Sequence, residues 1–342
     1  MSTTAFERRR IGQTDLEITT LGLGCASLAG IFSPVPEAQA RATITRALEL
    51  GITYFDTAPQ YGYGKSEHLV GNTLRGHRQG NLLSTKVGRL LAPLPPSGAR
   101  NYPHNWVDPL PFEQVYDYSY DAIMRSFEDS LQRLGLDKVD MLYVHDIGVM
   151  THGEQENARL WAQLAGGGYK ALQELKSAGV VQAIGMGVNE WEVLMDALAL
   201  GDWDVFLLAG RYTLLEQTSL HPFMSTCLAR KASAVIGGPF NSGILVGGST
   251  WNYAKAPQDV MDRVRAIEGV CRDFNVPLPA AALQFPLTHP AVCNVLPGPR
   301  SPQELDEIVG WWNAPIPDAL WTALADAGLL APGTPLPSGG TA

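Results

Sequence analysis

Eight short apolar runs, each followed by a stretch in which apolar residues recur at helical spacing, extend along most of this 342-residue chain. The runs are residues 21–25, 54–56, 82–86, 140–145, 183–188, 205–209, 234–237 and 292–296. Short, continuously apolar strands are typical of a parallel sheet covered by helices. Eight strand–helix units predict an α/β fold of the closed (β/α)8 or TIM-barrel type. An open doubly wound sheet is the alternative, but about six strands suffice for it, and no Gly-x-Gly-x-x-Gly opens a helix in this chain.

Four segments depart from this repeat within what we expect to be a single domain spanning the chain, residues 1–342. Residues 8–19 alternate weakly around a polar turn and predict a small β-hairpin. Residues 89–117 are a long insertion rich in proline and aromatic residues, which we interpret as a substrate loop because long loops in compact domains are usually functional. Residues 246–258 are predicted to form a second loop. Residues 313–342 are predicted to be a tail that frays at its end.

Charge and cysteine content narrow the class of protein. A net charge of −9 argues against nucleic acid or an anionic membrane as partner, because both favour clustered Lys and Arg. The four cysteines are far apart and form no Cys-x-x-Cys pair, so we expect reduced thiols, no disulfide frame and no metal site. The first ten residues lack a signal-peptide core, and no run approaches the about 18 apolar residues of a membrane-spanning helix. We therefore expect a cytoplasmic protein, a monomer or a small homo-oligomer.

Polar side chains stand at the ends of four consecutive predicted strands. Asp56 ends the second strand, with Tyr61 in the glycine-rich turn beyond it. Lys86 ends the third strand, His145 the fourth, and Asn189 the fifth. The carboxyl ends of barrel strands meet at one opening, where the active sites of these barrels lie. The first four of these groups are therefore predicted to converge there as a catalytic cluster.

These four residue types can together move a proton. A tyrosine has an ordinary pKa of about 10 and is a poor base at neutral pH. A nearby Lys86 ammonium is expected to lower the pKa of Tyr61, with Asp56 holding the lysine and a neutral His145 donating to the substrate oxygen. This is the proton half of an alcohol–carbonyl redox reaction, and the other half needs a hydride carrier. Taken singly, each residue has a structural interpretation as an ion pair, a core histidine or a packing tyrosine.

Several motifs in the expected order resemble those of the aldo-keto reductases. They are residues 55–62 (FDTAPQYG), 84–86 (STK), 126–136 (SFEDSLQRLGL), 140–145 (DMLYVH) and 184–189 (IGMGVN). The resemblance covers residues 8–312. It implies an NAD(P)-dependent oxidoreductase on a (β/α)8 barrel that uses no metal. It also implies that Asp56, Tyr61, Lys86 and His145 are a catalytic tetrad in which Tyr61 gives or takes the proton.

Residues 207–217 and 237–245 resemble a narrower branch of that family, whose members oxidise L-fucose, D-threo-aldoses or pyridoxal. This implies oxidation of an aldose hemiacetal at C1 to the lactone, with L-galactose or L-glucose as further possible substrates and Tyr61 as base. The alternatives are a pyridoxal 4-dehydrogenase, an NADPH-dependent aldehyde reductase and a non-catalytic regulatory subunit. Outside the family, Lys86 at a barrel strand end is also compatible with a Schiff-base aldolase.

The resemblance also implies a set of cofactor contacts. Asn189 is expected to hold the nicotinamide carboxamide, and the remaining contacts lie after the seventh strand and in the loop that opens the last helix: Pro239, Ser242, Gly243, Leu245, Pro297, Gly298, Arg300, Gln303 and Glu304. NADP-preferring members carry basic residues where this chain has Gly298 and Glu304. Because an acid repels a 2′-phosphate, we predict a preference for NAD over NADP.

Two further aspects of the site are predicted from aromatic residues. Many family members stack an aromatic ring on the nicotinamide from the end of the seventh strand, where this chain has Gly237, so Phe240 or Tyr212 is expected to take that place. Trp106, Tyr212 and Trp251 are predicted to form substrate-pocket walls.

Overall fold

The barrel predicted from the alternating pattern is present in the computed structural model, which describes residues 6–95 and 105–337. All eight predicted strands occur within two residues of their expected bounds. Each pairs in parallel with the next, and their order around the sheet is β3 (Leu23–Gly24), β4 (Tyr54–Asp56), β5 (Leu82–Val87), β8 (Met141–His145), β9 (Ala183–Val188), β10 (Val205–Ala209), β11 (Ser233–Gly237) and β14 (Val292–Leu296). The first and last strands meet through hydrogen bonds from Gly22 N to Val295 O (3.0 Å) and from Val295 N to Thr20 O (2.8 Å). These bonds close the sheet on itself.

Helices cover the outside of the barrel. They are α1 (Glu37–Glu49), α2 (Lys65–Leu74), α3 (Tyr120–Leu134), α4 (Val149–Gln163), α5 (Tyr169–Ser177), α6 (Glu192–Leu200), α7 (Ser225–Arg230), α8 (Gln258–Asp273), α9 (Leu278–Gln284), α10 (Pro302–Trp312) and α11 (Asp318–Asp326). In α3, Ser119 caps the first turn, and Gly135 ends the helix in the left-handed conformation (φ 62°). Ile123 and Phe127, four residues apart, are buried against the strands. Helices α4, α9 and α11 were not predicted.

The predicted N-terminal hairpin is confirmed as β1 (Arg8–Arg10) paired antiparallel with β2 (Glu17–Thr19). Ile11 and Ile18 are fully buried in a cluster with the inward-facing residues at the amino end of the strands. At Gly12 (φ 51°) a Cβ atom would lie 2.5 Å from Asp204 O, so this turn needs glycine. The hairpin therefore closes the end of the barrel opposite the strand-end residues.

The insertion at residues 89–117 is more ordered than the predicted loop. Its two ends form an antiparallel pair of strands, β6 (Arg89–Pro93) and β7 (Phe112–Tyr116), with Arg89 opposite Tyr116. Residues 96–104, which make up the middle of the predicted loop, lie outside the described residues. The prediction of a loop was wrong at both ends, because strand pairing between distant segments leaves no mark in the local pattern.

Two other loop predictions also need correction. The loop at 246–258 contains a short antiparallel pair, β12 (Thr250–Trp251) and β13 (Ala254–Lys255). The tail predicted for 313–342 contains α11, which buries Leu320 and Trp321 on the barrel, while residues 338–342 lie outside the described part. Burial of this apolar face holds the tail in place. Within the described residues, no helix has the length and apolar character needed to cross a membrane.

Candidate active site

The four residues predicted to converge do so at the carboxyl end of the barrel. Asp56 is the last residue of β4, Lys86 lies one residue before the end of β5, and His145 is the last residue of β8. Tyr61 lies in the turn after β4 and is held by a hydrogen bond from its N to Ala58 O (3.1 Å). Their proximity follows from strand order, because β4, β5 and β8 are neighbours in the sheet.

Lys86 has all three ammonium hydrogens engaged. Its Nζ lies 2.6 Å from Asp56 Oδ2, 2.9 Å from Thr57 O and 3.0 Å from Tyr61 Oη. An ammonium group only donates, so the Tyr61 oxygen must accept, and its own O–H points away from the lysine. The side chain of Lys86 is 1% exposed. Full engagement and burial argue against Lys86 as the free amine that a Schiff-base aldolase needs.

A row of hydrogen-bonded hydroxyl groups inside the barrel leads to Asp56. Ser84 Oγ donates to Asp56 Oδ1 at 2.7 Å, and Tyr54 Oη lies 2.9 Å from Ser84 Oγ. Tyr143 Oη follows at 3.2 Å from Tyr54 Oη inside the barrel. Burial raises the pKa of the Asp56 carboxyl, and the Lys86 ammonium opposes that rise. Both carboxylate oxygens thus have donors that fix their direction.

The predicted lowering of the Tyr61 pKa is not found. Burial raises the pKa of Tyr61 well above its ordinary value, and the Asp56 and Asp146 carboxylates raise it further. The prediction failed because Asp56, at 2.6 Å, offsets the positive charge of Lys86. The phenol of Tyr61 therefore lies beside an ion pair whose net charge is close to zero. With these groups alone, Tyr61 holds its proton at neutral pH.

His145 and Trp106 flank the Tyr61 ring. The His145 ring is perpendicular to it (87°) with centroids 5.9 Å apart, and Tyr118 Oη donates to His145 O at 2.7 Å. The Trp106 ring lies 6.0 Å from Tyr61, and Trp106 is 7% exposed. The structure therefore brings His145 and the insertion residue Trp106 to the phenol.

A groove of about 510 Å³ extends from Tyr61 to the start of α10. Six of the predicted cofactor residues line it: Pro239, Ser242, Gly243, Gly298, Arg300 and Glu304. Its size falls within the range of small-molecule sites. The backbone is left-handed at Ser242 (φ 60°) and Gly243 (φ 99°), which makes a tight turn beside the groove, and the N-terminus of α10 faces it through Arg300 and Glu304. These features fit a dinucleotide.

The other four predicted cofactor residues are not among the residues that line the groove. Leu245 is fully buried in the core. Pro297 is buried and accepts a backbone hydrogen bond from Gly24 N at 2.9 Å, while Gln303 is exposed on α10. Asn189 lies at the edge, where its Oδ1 accepts from Tyr253 Oη at 3.4 Å, and Tyr253 itself lines the groove. Leu245, Pro297 and Gln303 do not line the groove, and their contacts with a cofactor stay a prediction.

The two charged residues at the α10 end of the groove pair with each other. Glu304 Oε2 accepts from Arg300 N at 2.8 Å, and Glu304 Oε1 lies 3.3 Å from Arg300 Nε. Ser301 Oγ accepts from Glu304 N at 3.1 Å, so Ser301 caps α10. Glu307 also lines the groove. The charge of Arg300 is thus offset by Glu304, and Glu307 adds a negative charge.

Two of the predicted substrate residues lie elsewhere. Tyr212 is fully buried and packs on Phe285 (5.4 Å between centroids) and on His289, so the prediction of a pocket or stacking role was wrong. Trp251 does not line the groove, and its Nε1 donates to Glu216 Oε2 at 3.2 Å. Trp106 does not line the groove either, but its ring lies beside that of Tyr61. Phe240 lines the groove, with its ring 5.8 Å from that of Trp311.

Two aromatic residues that the sequence analysis missed face each other across the groove. Phe32 and Tyr253 both line it, and their rings stack at 6.2 Å with an interplanar angle of 22°. Both have left-handed backbones (φ 64° and 62°). No local signal singles out Tyr253 from Trp251 two residues earlier. A position with φ > 0 shows only in the structure.

Elsewhere in the described part of the chain, a polar cavity of about 630 Å³ lies at the amino end of the strands, lined by residues such as Gln13, Lys176, Asp204 and Arg230. It is at the opposite end of the barrel from Tyr61. No cluster of three or more His, Cys, Asp or Glu side chains suited to a metal ion occurs in the described residues.

Comparisons with known proteins identify the family of this chain. Residues 20–328 match the aldo/keto reductase family. The chain is 45% identical to a pyridoxal 4-dehydrogenase of Microbacterium luteolum, over 96% of this chain and 99% of that protein. It is 36% identical to a D-threo-aldose 1-dehydrogenase of a Pseudomonas species, over 92% and 95%. Among solved structures it resembles the holo form of aldo-keto reductase AKR11C1 from Bacillus halodurans (TM-score 0.72, 25% identity, 95% and 97% covered).

Proposed function

The chain belongs to the aldo/keto reductase family of oxidoreductases, and on that premise we propose that it is an NAD-preferring dehydrogenase that oxidises a cyclic hemiacetal to a lactone. The observation that carries the proposal is the contact at the mouth of the groove, where the Tyr61 oxygen accepts from Lys86 at 3.0 Å. That contact uses one lone pair of the Tyr61 oxygen and leaves its other hydrogen-bonding positions for a substrate hydroxyl.

The chain's residues act on the hydroxyl proton. Tyr61 is the proton acceptor, Lys86 donates to the phenolate that forms, and Asp56 holds Lys86 in place. His145 orients the substrate oxygen from the other side of the Tyr61 ring. As the O–H bond breaks, the carbon loses its hydrogen as hydride, and the C–O bond becomes the carbonyl of the lactone. A bound nicotinamide cofactor supplies the hydride acceptor and, in its oxidised form, a positive charge that favours the phenolate.

A cyclic hemiacetal unites the two substrate classes named by the relatives. An aldose closes on its own hydroxyl to give a ring with a C1 hydroxyl. Pyridoxal carries a hydroxymethyl group beside its aldehyde and closes in the same way. Loss of one hydride and one proton from either ring gives a lactone. We favour pyridoxal as the substrate because this chain is 45% identical to the pyridoxal enzyme and 36% identical to the aldose enzyme. The aromatic wall beside Tyr61, provided by Trp106, also suits a flat ring.

The preference for NAD rests on the α10 end of the groove. A 2′-phosphate needs a free basic partner. Arg300 is paired with Glu304, and Glu307 stands nearby, so the lining there offers no net positive charge. An adenosine ribose with a free 2′-hydroxyl fits such a lining better than a phosphate.

The cell compartment is part of the proposal. The four cysteines are all unpaired and buried, which supports a reducing compartment such as the cytoplasm.

The test is a screen for NAD reduction, followed at 340 nm, over pyridoxal, D-arabinose, L-fucose, L-galactose and L-glucose. Each active substrate is repeated with NADP, and the product is identified as the lactone by mass. We expect turnover of at least one hemiacetal, with NAD favoured in kcat/KM. A tenfold or larger preference for NADP, with aldehydes reduced faster than hemiacetals are oxidised, would instead support an NADPH-dependent aldehyde reductase. Cofactor binding without turnover of any compound would support a non-catalytic subunit.

A further inference from the structure

A buried ion pair joins the insertion hairpin to the loop that follows His145. Arg89, the first residue of β6, donates through Nη2 to Asp146 Oδ2, and the side chain of Arg89 is 1% exposed. Its Nη1 donates to Gln114 Oε1 at 2.9 Å, and its guanidinium lies 5.1 Å from the centre of the Tyr116 ring. The arginine, on β6, is thus held by two residues of β7 and reaches one carboxylate at the strand ends.

The other oxygen of that carboxylate contacts Asn189. Asn189 Nδ2 donates to Asp146 Oδ1 at 3.2 Å. A carboxylate only accepts, so the amide nitrogen of Asn189 must face Asp146 and its Oδ1 must face away. In this structure, Asn189 Oδ1 accepts from Tyr253, a residue of the groove lining. Asp146 therefore decides which atom of the Asn189 amide is presented at the groove.

Several features of the Arg89–Asp146 pair oppose the stability of the fold. Asp146 has a left-handed backbone (φ 45°), which a non-glycine residue adopts at a cost. Arg89 Nε is buried with no hydrogen-bond partner among the described residues. A buried ion pair is often no more stabilising than apolar residues of similar size. Local features of this kind that oppose stability are expected at functional sites.

We propose that Asp146, held by Arg89, is a positioning residue that turns the Asn189 oxygen toward the groove to accept a hydrogen bond from a carboxamide N–H. The inference rests on the proposed function, in which the cofactor brings such a carboxamide. Asp146 is not itself the base. Its contacts are Arg89, Asn189 and, at 3.6 Å, His145 Nε2. Asp146 thus links the insertion hairpin, through Arg89, to Asn189.

The experiment compares NAD with 3-acetylpyridine adenine dinucleotide, which keeps the ring carbonyl but replaces the amide NH2 with a methyl group. Dissociation constants are measured by quenching of tryptophan fluorescence. The wild-type protein should bind NAD about tenfold more tightly than the analogue, as expected for one lost hydrogen bond. The variant Arg89→Met/Asp146→Leu removes both charges together, and Asn189→Ala is the matched control. Both should lose the discrimination, to within about twofold.

A purely structural role would weaken binding of both compounds and leave their ratio unchanged. Retention of the wild-type ratio in the double variant, with the ratio lost in Asn189→Ala, therefore overturns the inference. So does a wild-type protein that reduces NAD but does not discriminate, although the proposed function then stands. If the wild-type protein neither binds nor reduces either compound, the proposed function falls and the inference falls with it.

A second variant covers the case in which the double variant does not fold, as judged by circular dichroism. In Asp146→Asn, Arg89 donates to the oxygen of the new amide, so the nitrogen of that amide faces Asn189. This N–H donates to Asn189 Oδ1, which turns the Asn189 amide by about 180°. The reversed Asn189 then presents N–H groups, and the preference for NAD over the analogue should again disappear. An unchanged preference in a folded Asp146→Asn variant contradicts the proposal.

Discussion

Lys86 Nζ lies 3.0 Å from Tyr61 Oη and donates to it, so the phenol directs its own hydrogen away from the lysine. The same ammonium is held by Asp56 at 2.6 Å. This relationship makes Tyr61 a group that can exchange one proton with a ligand in the groove while Lys86 stays hydrogen-bonded to it.

Replacing Tyr61 with Phe removes the proton acceptor and leaves the ring in place. We expect kcat for hemiacetal oxidation to fall by about three orders of magnitude, the usual range for loss of a general base. NAD binding, measured by fluorescence quenching, should change by less than about twofold, because the hydroxyl is not expected to contact the adenosine end. Wild-type kcat in Tyr61→Phe would refute the assignment of Tyr61.

The rate of oxidation should rise with pH. The pKa of Tyr61 is raised by burial, so the phenolate is the minor form at neutral pH. Well below its pKa, the phenolate fraction grows about tenfold per pH unit, and kcat/KM at saturating NAD should follow it between about pH 6 and 8. The dissociation constant for NAD over the same range is the control. A rate that falls as the pH rises would contradict Tyr61 as the base.

Glu304→Arg should improve use of NADP. The change removes a carboxylate that pairs with Arg300 and adds a positive charge, so we expect the NADP/NAD ratio of kcat/KM to rise about tenfold or more. The variant also loses a carboxylate at the start of α10, which should lower the free energy of unfolding by about 1 kcal/mol. Ser301→Ala is the matched control, since it loses the cap that accepts from Glu304 N without changing the charge. If Ser301→Ala changed the NADP/NAD ratio of kcat/KM as much as Glu304→Arg, the cause would be the loop conformation and not the charge.

Trp106→Leu should change the kinetics, whereas Tyr212→Phe should not. The Trp106 ring lies 6.0 Å from that of Tyr61, so its loss should raise KM for the hemiacetal severalfold with little change in NAD affinity. Tyr212 is buried away from the groove, and its loss of one hydroxyl should leave both constants unchanged. Steady-state kinetics of both variants on the same substrate measure this difference. A KM effect of Tyr212→Phe equal to that of Trp106→Leu would contradict the placement of the pocket.

Much of the site was predictable from the sequence because it lies at strand ends. Asp56, Lys86 and His145 each close an apolar run, and parallel strands in one barrel bring such positions to the same opening. Six groove residues were also predicted from the family resemblance, which placed them after the seventh strand and around the start of α10. Leu245, Pro297 and Gln303 were predicted in the same segments but do not line the groove, because the conformation of a segment decides which of its residues face inward.

The contacts that join distant segments could not be predicted. Arg89 and Asp146 are 57 residues apart, and Tyr253 and Asn189 are 64 residues apart. The pairing of β6 with β7, the burial of Tyr212 and the packing of α11 are of the same kind. The direction of the Tyr61 pKa shift also depended on the structure, because it is set by the balance of burial, Lys86 and Asp56.

The sequence by itself determined the number and order of the eight barrel strands, most of the helices, and the presence of an acid, a lysine, a tyrosine and a histidine at one end of the barrel. It could do so because periodicity and capping act between residues about two to four positions apart. The tertiary structure alone decided which buried charges pair, which aromatic residues reach the groove, and that the Tyr61 phenol holds its proton. These properties depend on distances and solvent exclusion between segments that are remote in the chain, and local sequence patterns carry no record of either.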